Sequence, residues 1–332
     1  MMRALTFALA MIVNAVLGLA ASAQNYSVTS VSAANLGNVA AAASGQTIFN
    51  AAASTGTVTK LLGNGVRLSS GSVRSLVTVA CGNQNACDTS NALVAITTTG
   101  TPTGRAAALQ NFTISVSGAT ASIVTGPGTG SSISFTIGPD PRNGSRTFYV
   151  GYDVPINGDN TSGTTGSASS GLVVTISRPA GAGSGSGSGS VTASTFRAIA
   201  ISRAAHLSFG RVTLPTSGSA TVSLAPATSV VTVTGTGIAK LNGITPTAAQ
   251  FGVTGEGGQA VTVSVPATIT MAGSGPNITV TTSATGSGVQ TLSGALGAAG
   301  TLTVRVGGSF PLTSTTASGS YSGTFTVTVA YN

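Results

Sequence analysis

Acid–base chemistry has few carriers in this 332-residue chain: one histidine, His206, and five acids, Asp88, Asp140, Asp153, Asp159 and Glu256. His206 lies in AAHLSFG, a segment that alternates like a strand, and no GxSxG elbow accompanies it to supply a nucleophile. The acids stand in turn-like surroundings, and no spacing sets two of them apart as a glycosidase pair. DVPINGDN (153–160) gathers the side-chain oxygens of Asp153, Asn157, Asp159 and Asn160 in one loop, but without the spacing or terminal Glu of an EF-hand. Asn, Asp and Gly also build turns for conformational reasons, so a turn is the expectation there. VTGEGGQA (253–260) lacks the Lys and the following helix of a phosphate loop and reads as a hairpin turn. These residues predict no catalytic group, no cofactor and no metal, and a protein that is not an enzyme.

Redox chemistry rests on Cys81 and Cys87, which bracket CGNQNAC with five residues between them. There is no CxxC, and no histidine lies nearby for a metal. In an exported chain so close a pair is expected to form a disulfide that pins one turn. Thirteen Lys and Arg against the five acids give a net charge of +8, yet the cations are spread singly. A nucleic-acid binder concentrates cations and stacking aromatics on one face, so no nucleic-acid partner is expected.

The elements that must hold these residues are strands. Aromatics are 5% of the residues and Trp is absent, so a core has to be built mainly from Val, Ile, Leu and Ala. With 46 glycines, Ser- and Thr-rich gaps and no long amphipathic helical pattern, the chain predicts many short strands joined by turns. Met1 to Arg3, an apolar run from Ala4 to Ala20, and Ala21-Ser22-Ala23 read as a secretory signal peptide cleaved near Ala23. The apolar run is shorter than the roughly 20 residues of a membrane span, so the mature chain is expected to carry none and to be exported to the periplasm, the outer surface or beyond.

VGYDVPINGDNTSGTTGSASSGLVVTI (150–176) and VGGSFPLTSTTASGSYSGTFTVTVAYN (306–332) share a V-G-x-x-[V/F]-P-[I/L] segment, a Ser/Thr/Gly loop, and a Ser-Gly pair that launches an alternating strand. AANLGNV (33–39) resembles AAHLSFGRV (204–212), FTISVS (112–117) resembles VTVSVP (261–266), and a Gly-Pro precedes both ISFTI (133–137) and ITVTT (278–282). A repeat of roughly 150 residues means tandem whole domains rather than solenoid units. The expected organisation is a signal peptide (1–23), a first β-sandwich (24–178), a flexible Gly/Ser linker (179–192) and a second β-sandwich (193–332). The fold class is all-β, with two tandem antiparallel immunoglobulin-like sandwiches. Tyr26 and Val28 in NYSVTSVS belong to a strand or to a free extended arm.

The terminal VGGSFPL and GSYSGTFTVTVAYN resemble the end of a proteobacterial exported β-domain family of unknown function, family 4402, which both halves fit, the second better than the first. More broadly they are similar to the ending of pilus subunits assembled by a periplasmic chaperone and an outer-membrane usher. Those carry an alternating last strand, a penultimate Tyr and a Gly fourteen residues from the end. Here Tyr331 is penultimate, Gly319 stands fourteenth from the end, and Phe325, Val327 and Val329 alternate along the strand. The resemblance implies a pilin-like fold in which a sheet edge accepts a strand, with Gly319, Phe325, Val327, Val329 and Tyr331 as the strand-assembly motif. Tyr26 and Val28 would then form the donor arm, and the partners would be further copies, a periplasmic chaperone or other surface subunits. The disulfide common near the first strands of pilus subunits has no counterpart here. The functional expectation is a non-enzymatic structural or surface protein. The alternative is a binding module for a glycan or cell-surface polymer, with Phe148, Tyr149 and Tyr152 as its aromatic candidates.

Overall fold

A computed structural model describes residues 26–82, 87–161, 163–178 and 184–332. The expected signal peptide and its cleavage site lie outside the described residues, as do most of the CGNQNAC loop and residues 179–183. The first half consists of β1 (Tyr26–Val31), β2 (Ala34–Ala40), β3 (Gln46–Ala51), β4 (Val58–Leu62), β5 (Val66–Arg67), β6 (Ser75–Cys81), β7 (Ala92–Thr103), β8 (Gln110–Ser115), β9 (Ile123–Thr125), β10 (Ser132–Ile137), β11 (Ser145–Asn157), β12 (Gly166–Ser177) and β13 (Ser184–Phe196). The second half follows with β14 (Ala200–Ala205), β15 (Arg211–Val212), β16 (Ser219–Leu224), β17 (Val231–Thr234), β18 (Lys240–Leu241), β19 (Ala249–Glu256), β20 (Ala260–Ser264), β21 (Thr268–Gly273), β22 (Ile278–Thr285), β23 (Gly288–Thr291), β24 (Ala299–Thr313), β25 (Tyr321–Ser322) and β26 (Thr328–Tyr331). No described residue is helical, and the chain is all-β.

Two sheets face each other in the first half. One runs β1-β6-β11-β3-β4 with β8 also on β11, and the other runs β5-β2-β13-β12-β7-β10-β9. Period-two patterning sends every second side chain inward. Val77, Val79 and Cys81 of β6 and Leu172, Val174 and Ile176 of β12 are buried between the sheets. Phe135 meets Phe148 edge to face at 5.4 Å, and Phe112 meets Tyr152 at 6.4 Å, within the same core. Burial of the Tyr152 hydroxyl, which bonds Ser75 at 3.2 Å, pushes its pKa up to about 12.

The pairings of the second half repeat this plan. β14-β19-β24 follows β1-β6-β11, β24 also holds β16 and β22 as β11 holds β3 and β8, and β26-β20-β23 follows β12-β7-β10. The shared V-G motif has one physical reason in both places. A Cβ at Gly151 in β11 would lie 2.4 Å from the carbonyl of Ala51, and one at Gly307 in β24 would lie 2.2 Å from that of Leu224. The middle landmarks correspond less well. FTISVS lies along β8, paired with β11, whereas VTVSVP begins in β20, between β23 and β26. ISFTI belongs to β10 beside β7, and ITVTT to β22 beside β24. Alternating Thr and Val suit any half-buried strand, so such short matches do not fix equivalence.

The expected linker is corrected by the structure. From Ser184 the Gly-Ser run is β13, antiparallel to β12 along its whole length and parallel to β2. Its serines face solvent while its glycines face β1. A Cβ at Gly185 would stand 2.6 Å from Ser27 Cα, one at Gly187 2.7 Å from Val28 Cγ1, and one at Gly189 2.5 Å from Val31 Cγ1. A composition with no side chains to bury reads as a linker. Here β1 supplies the side chains, and the glycines supply the space for them.

Candidate functional site

In the first half β13 joins β2 to β12, so the sheet β5-β2-β13-β12-β7-β10-β9 is continuous. The second half has the counterparts of both flanks but no described strand between them. β18-β15 is a separate two-stranded piece, and β26-β20-β23 a separate three-stranded one. Among the described residues, β26 is therefore paired on one side only.

Burial follows the break. Leu36 and Val39 on β2, and Leu172, Val174 and Ile176 on β12, are all fully buried beside β13. Across the gap Leu207, Phe209 and Val212 on one flank, and Phe325 and Val329 on the other, are only partly buried. Only Val327 reaches 7% exposure. The strand itself is interrupted: β12 is continuous over 12 residues, whereas its counterpart is split into β25 and β26 with Gly323–Val327 unpaired as ladder. Tyr321 and Ser322 of β25 pair instead with Gly273 and Ala272 of β21, in the sheet that contains β24. The core is divided likewise, into one cluster around Val222 and Phe310 and another around Val253 and Val304, with Leu207 and Phe325 bordering both.

Of the motif residues, Phe325, Val327 and Val329 lie along this edge. Phe325 packs edge to face on Phe251 at 6.0 Å, and Val329 pairs with Val263 across β20. Gly319 has φ +145°, a conformation that favours glycine, in the turn before β25. Tyr331 leads away from the edge, into the seam between the halves. Its ring lies 5.9 Å from Phe196, and its hydroxyl accepts the Glu256 amide hydrogen and donates to the Arg197 carbonyl. Desolvation raises its pKa, and the Glu256 amide hydrogen bond opposes that.

Sequence reasoning missed this seam because its members are far apart in the chain. The Glu256 carboxylate is fully buried, accepts from Thr165 Oγ1 at 3.0 Å and from the Arg197 amide at 3.1 Å, and also accepts from the Gly297 amide. Asp159 pairs with the buried Arg105 and accepts the Ala198 amide at 2.9 Å. Both carboxylates therefore hold the chain where it leaves β13, and the only sequence signal was that acids are rare.

The remaining candidates are dispersed. Asp153 accepts from Asn50 and Asn111, each at 2.7 Å, Asn157 from Gln46, and Asn160 from the Gly45 amide, so the DVPINGDN oxygens already have separate protein donors. Among the described residues no group of three or more His, Cys, Asp or Glu side chains could hold a metal ion. His206 is exposed, and its carbonyl accepts Thr247 Oγ1. Cys81 and Cys87 form a disulfide. Nearby, Asp140 is fully buried, with neither carboxylate oxygen hydrogen-bonded and Arg146 Nε at 3.8 Å. Burial pushes its pKa up to about 6 against the pull of Arg146.

Tyr26 and Val28 lie in β1, paired with Cys81 and Val79 of the same chain, and so form part of its own sheet rather than a free arm. Tyr26 is fully buried, and its hydroxyl bonds the Ser90 carbonyl at 2.8 Å. Of the aromatic candidates for a glycan, Phe148 and Tyr152 are fully buried and Tyr149 is covered by the Arg74 guanidinium at 3.5 Å. Hydroxyls do line up on the outer face of the second half. Thr268, Thr281, Ser309, Ser223 and Thr232 stand opposite one another across β21, β22, β24, β16 and β17, beside an uncharged groove of about 680 Å³. No helix among the described residues is long and apolar enough to cross a membrane.

No curated protein matches the chain. A solved structure described as "Chaperone-tip adhesin complex is vital for synergistic activation of CFA/I fimbriae biogenesis" is similar at 10% identity, over 91% of this chain and 96% of that one, with a TM-score of 0.23. So loose a superposition carries no argument. Residues 199–331 match the family model of a domain of unknown function (DUF4402), the family that the terminal motif resembles.

Proposed function

We propose that the protein is an exported, non-enzymatic structural or surface subunit whose second half accepts a β-strand from another polypeptide. On this reading the chain comprises two sandwich domains that meet at Phe196–Ala198, after a signal peptide cleaved near Ala23. The first domain is completed by β13. The second takes its missing strand from a further copy, a periplasmic chaperone or a neighbouring surface subunit. One observation carries the reading: the sheet of the second half is broken at the position that β13 fills in the first. A strand added there would gain main-chain hydrogen bonds along β26. It would also complete the burial of Leu207, Phe209, Phe325 and Val329, each worth about 1 kcal/mol.

The test supplies the strand in cis. Residues 178–196, which contain β13 and the residues that precede it, are appended after Asn332 of the mature chain. The second half should unfold at a higher temperature, and amide exchange along β26 should slow. Unchanged unfolding and exchange would sink the reading.

A second reading, binding of a neutral glycan, is supported by the uncharged hydroxyl row beside the groove of Ser223, Thr281 and Ser309. Retention on a neutral polysaccharide column that is lost in Thr281→Val would support it, and equal retention of the two proteins would remove it.

A further inference from the structure

The strand-accepting edge also carries information about what it accepts. This inference rests on the reading just given and concerns the side chains of the incoming strand. In the first half, β1 lies across β13, and at Gly185, Gly187 and Gly189 it comes too close for any Cβ. Those glycines are a steric consequence of β1, because a Cβ at any of them would force β1 to shift.

The second half has a strand in the place of β1. Val150 and Val306 are equivalent through the V-G motif, and they pair with Ser75 and Ala249 respectively. Counting outward from that register, Val77 and Val79 on β6 correspond to Phe251 and Val253 on β19. Val31 and Val28 pair with the former two, and Arg203 and Ile201 with the latter two. Ile201 therefore holds the position of Val28, which lies against Gly187, and Arg203 that of Val31, which lies against Gly189. Ile201 is partly buried against the core cluster that includes Val327. Arg203 is exposed, whereas Ile201 is larger than the valine it matches and packs on the core, so at its position the space beneath β14 is no roomier than that beneath β1.

We infer that the strand accepted beside β26 has glycine at the alternate positions that face β14, with Ser or Thr on its outward face. The recognised partner is thus a Gly-Ser-type extended segment of another chain, chosen by the absence of side chains where Ile201 projects. Bulky alternating residues, which suit most sheet edges, are excluded here. Further along, where β13 carries Val191 and Ala193 inward, small apolar residues are the matching choice.

The experiment compares two versions of the mature chain extended after Asn332. One carries RPAGAG followed by SGSGSGSVTASTF, the sequence of residues 178–196. The other carries RPAGAG followed by SVSVSVSVTASTF. Thermal unfolding of the second half is followed on each monomeric protein, and the glycine version is expected to raise its midpoint by about 5 °C or more, with no such rise for the valine version. An equal or larger rise with valine overturns the glycine requirement while leaving the open edge standing. No rise with either overturns both. Ile201→Ala, by opening the space above the strand, is expected to let the valine version stabilise the protein, and its failure to do so overturns the role given to Ile201.

Discussion

The Tyr331 hydroxyl accepts the backbone amide of Glu256 at 2.7 Å while donating to the Arg197 carbonyl at 2.9 Å. The last residue of β26 is therefore bonded to β19 and to the segment that leaves β13. One phenolic oxygen ties the unpaired edge of the second half to the strand that completes the first.

Tyr331→Phe keeps the ring against Phe196 and removes both hydrogen bonds. The expected loss is about 1–3 kcal/mol, because the Glu256 amide is left without its acceptor. Urea unfolding with matched m-values checks this, and a loss within error would mean that water replaces the hydroxyl.

Glu256→Ala is expected to cost more. The carboxylate is buried and serves Thr165 Oγ1, the Arg197 amide and the Gly297 amide, and its removal also strips Arg197 of its charge partner at 3.7 Å. A loss of about 3 kcal/mol or more is anticipated. Glu256→Gln, which keeps an acceptor, should lose clearly less in the same denaturant titration.

Asp140 gives a pH dependence of defined sign. Its folded pKa of about 6 lies above the ordinary value of 3.8, so the folded protein holds that proton more tightly than the unfolded chain does. This group's contribution favours folding below about pH 4 and is lost as pH rises through 6. Asp140→Asn should raise stability at pH 7.5 by on the order of 1–2 kcal/mol and flatten the profile between pH 4 and 6. Calorimetry across that range is the check, and a variant less stable than wild type at pH 7.5 would contradict it.

Gly187→Val should destabilise the first half by about 1–3 kcal/mol or more through collision with Val28. Ser186→Val, one residue away on the exposed face, should stay within about 0.5 kcal/mol. Comparable losses in the two variants would show that β13 is not packed under β1.

Much of the fold is legible in the chain wherever side chains alternate in chemistry. The phases of SLVTVAC and of Phe325, Val327 and Val329 agree with their burial, and the V-G-x-x-[V/F]-P segments lie in β11 and β24, each paired on both sides. β13 is illegible for a physical reason: its residues contribute hydrogen bonds and vacant space, while the apolar atoms belong to β1. The Glu256 seam is hidden for another, since Thr165, Arg197, Gly297 and Tyr331 share no local pattern and meet only through the fold. The open edge is not legible from either half alone. It emerges when the sheet orders of the two halves are set side by side.

The Ser-Gly unit of β13 is two residues long, which is also the period of the pleat. Gain or loss of one whole unit in such a repetitive stretch leaves every glycine under β1 and every serine outside. A change of a single residue turns serines inward against Val28 and Val31. Each whole unit nevertheless displaces Phe196 and Arg197 by about 6.5 Å along the strand direction, away from Tyr331 and Glu256. The run thus acts as a ruler graduated in dipeptides: the first half is indifferent to its length, and the seam with the second half reads it.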